Sequence, residues 1–338
     1  MALSETDLDS ILAVMYVSWA QGTQETYGAG LLVFHIFCDT CDIPESQCCP
    51  AAPFLVIMYI SSCASSYSGS TLTNYVFGLQ AWHILHGQPW AMDDIQIKTA
   101  LDGAAKLAPP ASKCPKWEPF TLTLIEKLFS QLDHADPLDA SVRACLTVSF
   151  FTLACTGEFT IPSLDSFDPV THIKRSDVRA TVDHHDNHVI VFRLPHTKSS
   201  RDGEDIYCAA QLGSICPISE LGNHLSVNNP ADSSHLFAYS HSGALCPLIK
   251  CAFLHQLNSI ASVLGVESLK GHGIRIGGTL EYLLRGVPFD VMKSMGRWSS
   301  EAFTIYLCKH AVIMAPYLQG SPVLGAFTQY TMPPVHCH

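Results

Sequence analysis

Positive charge is what this sequence has least of. Its first 116 residues contain no arginine and only four lysines, against ten acids. Over all 338 residues the formal net charge is −11, and charged side chains make up only 14%. A general nucleic-acid binder shows the opposite balance, because affinity for phosphate comes from lysine and arginine. Any polyanion would have to be held by a local basic patch, and such binding falls steeply with salt. The remaining residues hold fifteen basic side chains against twenty acids, and several of the basic ones lie in the motifs below.

Long apolar runs are missing as well. The best candidate, Phe54 to Ile60, is far shorter than the roughly 20 residues that a helical bilayer span needs. The start, Met1-Ala2-Leu3-Ser4-Glu5-Thr6-Asp7, lacks the basic residues of a secretory signal. No membrane association is expected, and a soluble intracellular protein is the simplest expectation. A hydrophobic content of 48% with so little charge argues against extensive disorder. A chain of this length can form two domains, each with its own core. Cysteine, by contrast, is plentiful. The 14 cysteines are scattered, in a chain with no need of a disulfide scaffold, and read as reduced, buried small hydrophobes. Cys38 and Cys41 have ligand-like spacing, Cys48 and Cys49 follow, and the last three residues are His336-Cys337-His338. Adjacent Cys48 and Cys49 cannot readily face one tetrahedral ion, so no metal site is expected.

The stretch Leu107 to Pro119 holds four prolines, which neither a helix nor a central strand tolerates. It reads as an interdomain linker. Upstream, apolar residues recur at helical spacing in Leu8–Trp19, Tyr27–Cys38, Phe54–Ser65 and Leu72–Leu85, with Thr71 or Thr73 as cap of the last and Gly87 as its stop. His83 and His86 fall on that helix as core or surface residues rather than ligands. Downstream, Thr121–Leu132 and Leu138–Leu153 read as helices. The period then changes to that of strands in Val178–Val182, His188–Leu194 and Asp205–Ala210. Helical patterns return at Pro217–Leu225, Pro247–Val263, Arg275–Leu284, Pro288–Met295 and Ser300–His310. The expected fold class is therefore α+β, mostly α with a small antiparallel β-sheet.

The chemistry concentrates between Gly271 and Tyr306. His272 and Arg275 are three apart and share one face of a helix or its first turn. Gly286 ends that helix, Pro288 starts another, and Gly296-Arg297-Trp298 breaks it, with Tyr306 one short helix further on. This order closely resembles the second signature of tyrosine recombinases, the phage integrases and their eukaryotic transposon relatives. There a His-x-x-Arg pair precedes a Gly-His or Gly-Trp element and then a nucleophilic tyrosine. The wording is most similar to the recombinase-like proteins of fungal transposons of the Crypton kind. The resemblance covers nearly the whole chain, since Tyr27 to His35 and Tyr67 to Tyr75 look like that group's DNA-clamping domain.

The resemblance implies a helical, SAM-like core-binding domain over 1–110, a linker over 111–119, a catalytic domain over 120–318 and a tail over 319–338. It implies double-stranded DNA as partner, a homo-oligomer on that DNA, a nuclear location, and no metal or organic cofactor. Tyr306 would attack a phosphodiester to give a 3′-phosphotyrosyl bond and a free 5′ hydroxyl. Charge then develops on the nonbridging oxygens, so cationic donors must be fixed beforehand. Arg275 would be one, its planar fork meeting two oxygens. His272 would bind the phosphate or assist proton transfer. Lys198, in Leu194-Pro-His-Thr-Lys-Ser199, matches the lysine that protonates the departing oxygen. Nine residues before Tyr306, the family's usual interval, stands Arg297; the side chain resembling the family's alternative is Trp298, and either could support the phosphate.

One position departs from the pattern. The first signature places an arginine three residues before a glutamate, and here Glu158 has Cys155 in that place. Loss of one preorganised donor typically costs on the order of 100–1000-fold in rate. Lys174 or Arg175 could stand in. The expected activity is DNA strand cleavage and rejoining for integration of a mobile element, impaired by Cys155. A catalytically inactive DNA-binding or oligomerising relative is the alternative. A relaxing topoisomerase uses similar groups, but the clamp-like N-terminal segments count against it.

Overall fold

The computed structural model describes residues 5–112, 118–182, 184, 186–198, 200 and 202–298, in two compact units over 1–116 and 117–338. Its composition of elements is mostly helical with a small antiparallel sheet, as the change of period predicts.

The first unit is all helix: α1 (Glu5–Tyr16), α2 (Gln21–Thr40), α3 (Pro53–Cys63), α4 (Gly69–Leu85) and α5 (Asp94–Leu107). Phe34, Val56, Tyr59, Ile60, Leu72, Val76 and Leu79 form its core. The cap of α4 is Ser68, whose side chain accepts from the Thr71 amide, so Thr71 receives the cap rather than providing it. His83 is fully buried, accepting from the Ala51 amide at 2.8 Å with its other ring nitrogen 2.8 Å from Leu79 O, a packed core histidine. Helix α5 lays Ile97, Ala100, Leu101 and Ala104 on this core, and of these Ala104 is buried. It starts because Asp93 accepts from the amides of Ile95 and Gln96. Cys38 and Cys48 are buried and Cys41 is exposed; among the described residues no cluster of three His, Cys, Asp or Glu side chains could hold a metal ion. No described helix is long and apolar enough to cross a membrane.

The second unit is built around one helix that sees no solvent. It opens with α6 (Leu122–Phe129) and α7 (Pro137–Thr152), and from Asp139 onward every residue of α7 is buried. A helix apolar or satisfied on all sides must be wrapped by others. The elements that follow are α8 (Thr156–Phe159), β1 (Val178–Val182), β2 (His188–Leu194), β3 (Glu204–Ala209), α9 (Pro217–Asn228), β4 (Tyr239–His241), β5 (Ala244–Cys246), α10 (Lys250–Val263), α11 (Gly271–Leu284) and α12 (Phe289–Met295), and of these α8, β3, α9, β4, α10 and α11 lie against α7. Strands β1, β2 and β3 pair antiparallel in sequence order, with Val178 opposite Phe192 and Phe192 opposite Ile206. The hairpin of β4 and β5 is an addition to the sequence reading. It turns at Ser242-Gly243, both with positive φ (51° and 81°), the backbone that a two-residue hairpin favours.

The charged pair drawn into this core is fully matched. Arg143 Nε and Nη2 each donate to Glu220 at 2.8 Å, Nη1 donates to Phe129 O at 2.9 Å, and both side chains are about 5% exposed or less. Removing one member strands a buried charge, so Arg143→Met is expected to cost about 3–5 kcal/mol in denaturant unfolding. His224 and His235 are buried beside Phe237, and burial lowers their pKa values to about 4 and about 3. Both are neutral in the fold, whereas in the unfolded chain they protonate near 6.5. Stability is therefore fully present above pH 6.5 and is lost as pH falls from there toward 4 and 3. The unfolding midpoint of the wild type should drop through this window, and His235→Phe should flatten the drop. Equal slopes in the two proteins would refute the assignment.

Candidate functional site

Helix α7 ends at Leu153, whose left-handed backbone (φ 55°) turns the chain sharply into Ala154 and Cys155. Glu158, in the short α8, reaches back so that its Oε2 accepts from the Cys155 amide at 2.7 Å. The residue expected to be cationic is therefore held rigidly at the lip of a cavity of about 640 Å³. Cys155, Glu158, Lys198, Arg275, Arg297 and Trp298 all line that cavity.

Arg275 lies in the second turn of α11, and its guanidinium stacks 4.6 Å from the Trp298 ring centre. Nη1 donates to Cys155 Sγ at 2.7 Å, Nη2 donates to Gly296 O, and Nε is buried with no hydrogen-bond partner among the described residues. A thiol is a poor acceptor, so the Nη1 arm of this fork is weakly held, while a carbonyl holds the other. Behind it, Gly277 and Gly278 face the protein interior. A Cβ on Gly277 would lie 2.0 Å from Phe120 O, and one on Gly278 2.1 Å from Phe150 O. Their small size thus serves the close packing of α11 on backbone.

The two residues preceding Tyr306 by nine and eight positions both reach the cavity, with different contacts. Arg297 Nη2 donates to Glu158 Oε2 at 2.7 Å and Nη1 to Glu204 Oε1 at 3.1 Å, and its side chain is only 10% exposed. Burial works against its charge, but the hydrogen bond and charge of Glu158, with Glu204 behind them, hold its pKa above the ordinary arginine value. Trp298 instead supplies the face beneath Arg275. Lys198 is exposed on the turn between β2 and β3. His272 sits half-buried in the first turn of α11. It is not among the described lining residues, and burial, then Arg275, lowers its pKa and keeps the ring neutral. Tyr306 lies outside the described residues.

Neither stand-in for the missing arginine is at the cavity. Lys174 Nζ donates to Pro169 O at 2.9 Å and pairs with Asp177 at 3.4 Å. Arg175 is likewise absent from the described lining. The sequence reading did not place Lys250, exposed at the start of α10, at this cavity, nor the imidazoles of His172 and His196. Lys250 is brought in because its amide bonds to Ile161 O at 2.9 Å, tying α10 to the chain just after α8. That pairing joins residues far apart in sequence, and no local pattern announces it.

No protein-family model matches the chain. No curated protein matches it either. Among solved structures, it is similar to the XerH site-specific recombinase bound to its palindromic difH substrate in a post-cleavage complex. The TM-score is 0.56 at 17% identity, covering 94% of this chain and 85% of that one. It is also similar to the Tn1549 transposon integrase in complex with transposon right-end DNA, with a TM-score of 0.50 at 10% identity over 91% of this chain and 99% of that one. At such identities the likeness is one of fold, and the fold is that of the tyrosine recombinases.

Because α11 carries Arg275 and is seated on backbone carbonyls, Gly277→Ala should overpack the seat and destabilise the chain by about 1–3 kcal/mol. Gly222→Ala, in open space on α9, should be neutral or stabilising and serves as the control in the same unfolding measurement.

Proposed function

We propose that this chain binds double-stranded DNA and breaks and rejoins its strands through Tyr306, as an integrase of a mobile element working as a homo-oligomer in the nucleus. The observation that carries the reading is convergence. Arg275 from α11, Lys198 from the β2–β3 turn, and Arg297 with Trp298 from the turn after α12 meet at one cavity, in the order the sequence motif requires. Lys250 adds a further cation at the rim.

Each group has a task that its placement suits. Arg275 presents a fixed guanidinium whose thiol partner yields readily to a phosphate oxygen. Lys198, exposed on its turn, can protonate a departing 5′ oxygen. Tyr306 supplies the nucleophile. His272, kept neutral, can accept or donate a proton near the phosphate. The resemblance to fungal transposon recombinases of the Crypton kind supports the role in integration.

Cys155 argues for reduced activity. It contributes no charge, and it takes one donor of the remaining arginine. That contact, with the acidity of residues 1–116, favours the second reading: a fold kept for binding DNA or assembling copies, without cleavage.

Trapping a covalent protein–DNA adduct on nicked suicide substrates from the element's ends decides between them. Wild type is expected to form an adduct that Tyr306→Phe abolishes, with Cys155→Arg raising the rate on the order of 100-fold. An adduct only with Cys155→Arg would mean a decayed enzyme. No adduct from any variant, alongside a working control recombinase, would leave the binding-only reading standing.

A further inference from the structure

Arg297 occupies a position where its charge is consumed by its neighbours. Two carboxylates hold its two terminal nitrogens, at 2.7 Å to Glu158 and 3.1 Å to Glu204. Both carboxylates are also engaged elsewhere. Glu158 accepts from the Cys155 amide at 2.7 Å, and Glu204 accepts from Thr197 Oγ1 at 2.5 Å. Thr197 is 4% exposed, and its backbone and hydroxyl close the turn that bears Lys198: Thr197 N donates to Ser200 O at 2.9 Å and Ser200 N to Thr197 Oγ1 at 3.1 Å. One continuous chain of hydrogen bonds thus runs from the 155 amide through Glu158, Arg297, Glu204 and Thr197 to the turn of Lys198. The arginine at its centre has a left-handed backbone, φ 58°, which a residue with a Cβ adopts at a cost and keeps only when its surroundings over-determine it.

We infer that Arg297 is a positioning residue, a clasp that fixes the Lys198 turn and the Cys155 segment relative to each other, and acts on DNA cleavage through Lys198 instead of by touching phosphate. The inference deepens the proposed function and rests on it for its chemical test. The physical case is that both Nη groups already sit on carboxylates and Nε is buried, so the charge is answered before any anion arrives. A planar fork, in turn, is the one side chain that can bridge two carboxylates from different elements at fixed angles. Lys198 is exposed on a mobile type of side chain, so its placement depends on the turn beneath it.

In the reaction, Tyr306 Oη loses its proton to solvent and bonds to phosphorus. The P–O5′ bond breaks, and the departing O5′ takes a proton from Lys198 Nζ. With sulphur in the bridging position, the P–S5′ bond breaks and the thiolate leaves without needing a proton, since a thiol has a pKa of about 8.5. A defect that acts through Lys198 is therefore cured by the sulphur substrate, and a defect in phosphate stabilisation is not.

The experiment uses the full chain, as wild type, Arg297→Met, Glu204→Gln and Lys198→Ala, in two measurements. In hydrogen exchange, Arg297→Met should lower protection of the 195–204 turn and the Cys155 amide by about tenfold while α7 stays protected. Glu204→Gln should lower the turn alone. In cleavage of nicked DNA, Arg297→Met should be slowed on the order of 100-fold with an oxygen bridge. It should return to near the wild-type rate with a 5′ sulphur bridge, as should Lys198→Ala. Unchanged exchange in the turn overturns the clasp, and so does a cleavage defect that sulphur leaves uncured. If wild type and control differ, so that only the control recombinase cleaves either substrate, the proposed function fails and the exchange measurement alone judges the clasp.

Discussion

The burial of α7 on every side is the constraint from which the second unit follows. A helix with no solvent face leaves nowhere for a charged side chain except against a partner, and Arg143 finds Glu220, two main-chain carbonyls and the Phe129 ring. It also leaves its C-terminal end fully enclosed, so the chain must turn within one residue. Leu153 makes that turn with a left-handed backbone while remaining buried among Leu280, Leu283 and Met292. The residues that follow, from Cys155 to Glu158, are therefore delivered to the cavity by the core itself. Their position owes little to a loop's own preferences.

Charge in the cavity is economical and uneven. Arg297 lies between two carboxylates, whereas Arg275 rests on a thiol, a carbonyl and an indole face, all of them neutral. The first arrangement is close-fitting and satisfied, and the second leaves a net positive charge directed into the opening. For a protein of net charge −11, such local concentration is how a phosphate could be attracted at all. It also gives the two arginines different surroundings, which their order in the motif does not reveal.

Much of this was legible in the residues. Helix α11, with its apolar stripe, and strand β3, with its alternating burial, announced themselves by period. Helix α5 did not, because its stripe of Ile97, Ala100, Leu101 and Ala104 is short and half alanine. The β4–β5 hairpin did not either, its strands being three residues long. Lys198, Arg275, Arg297 and Trp298, named from motif order, come to one cavity. Glu204 and Lys250 were missed because each acts across elements that only tertiary packing brings together. Sequence alone offers both Arg297 and Trp298 for one place, and in the fold each has its own contacts, carboxylates for the first and the Arg275 guanidinium for the second.

The entry into the second unit has a mechanical meaning. Phe120 is buried, its amide donates to Gly273 O at 3.0 Å, and its own carbonyl lies against the bare Cα of Gly277. The incoming chain is thus sewn along two turns of the helix that carries His272 and Arg275. A pull on the chain at residue 118 would therefore act as a sideways load on α11, the helix that carries Arg275.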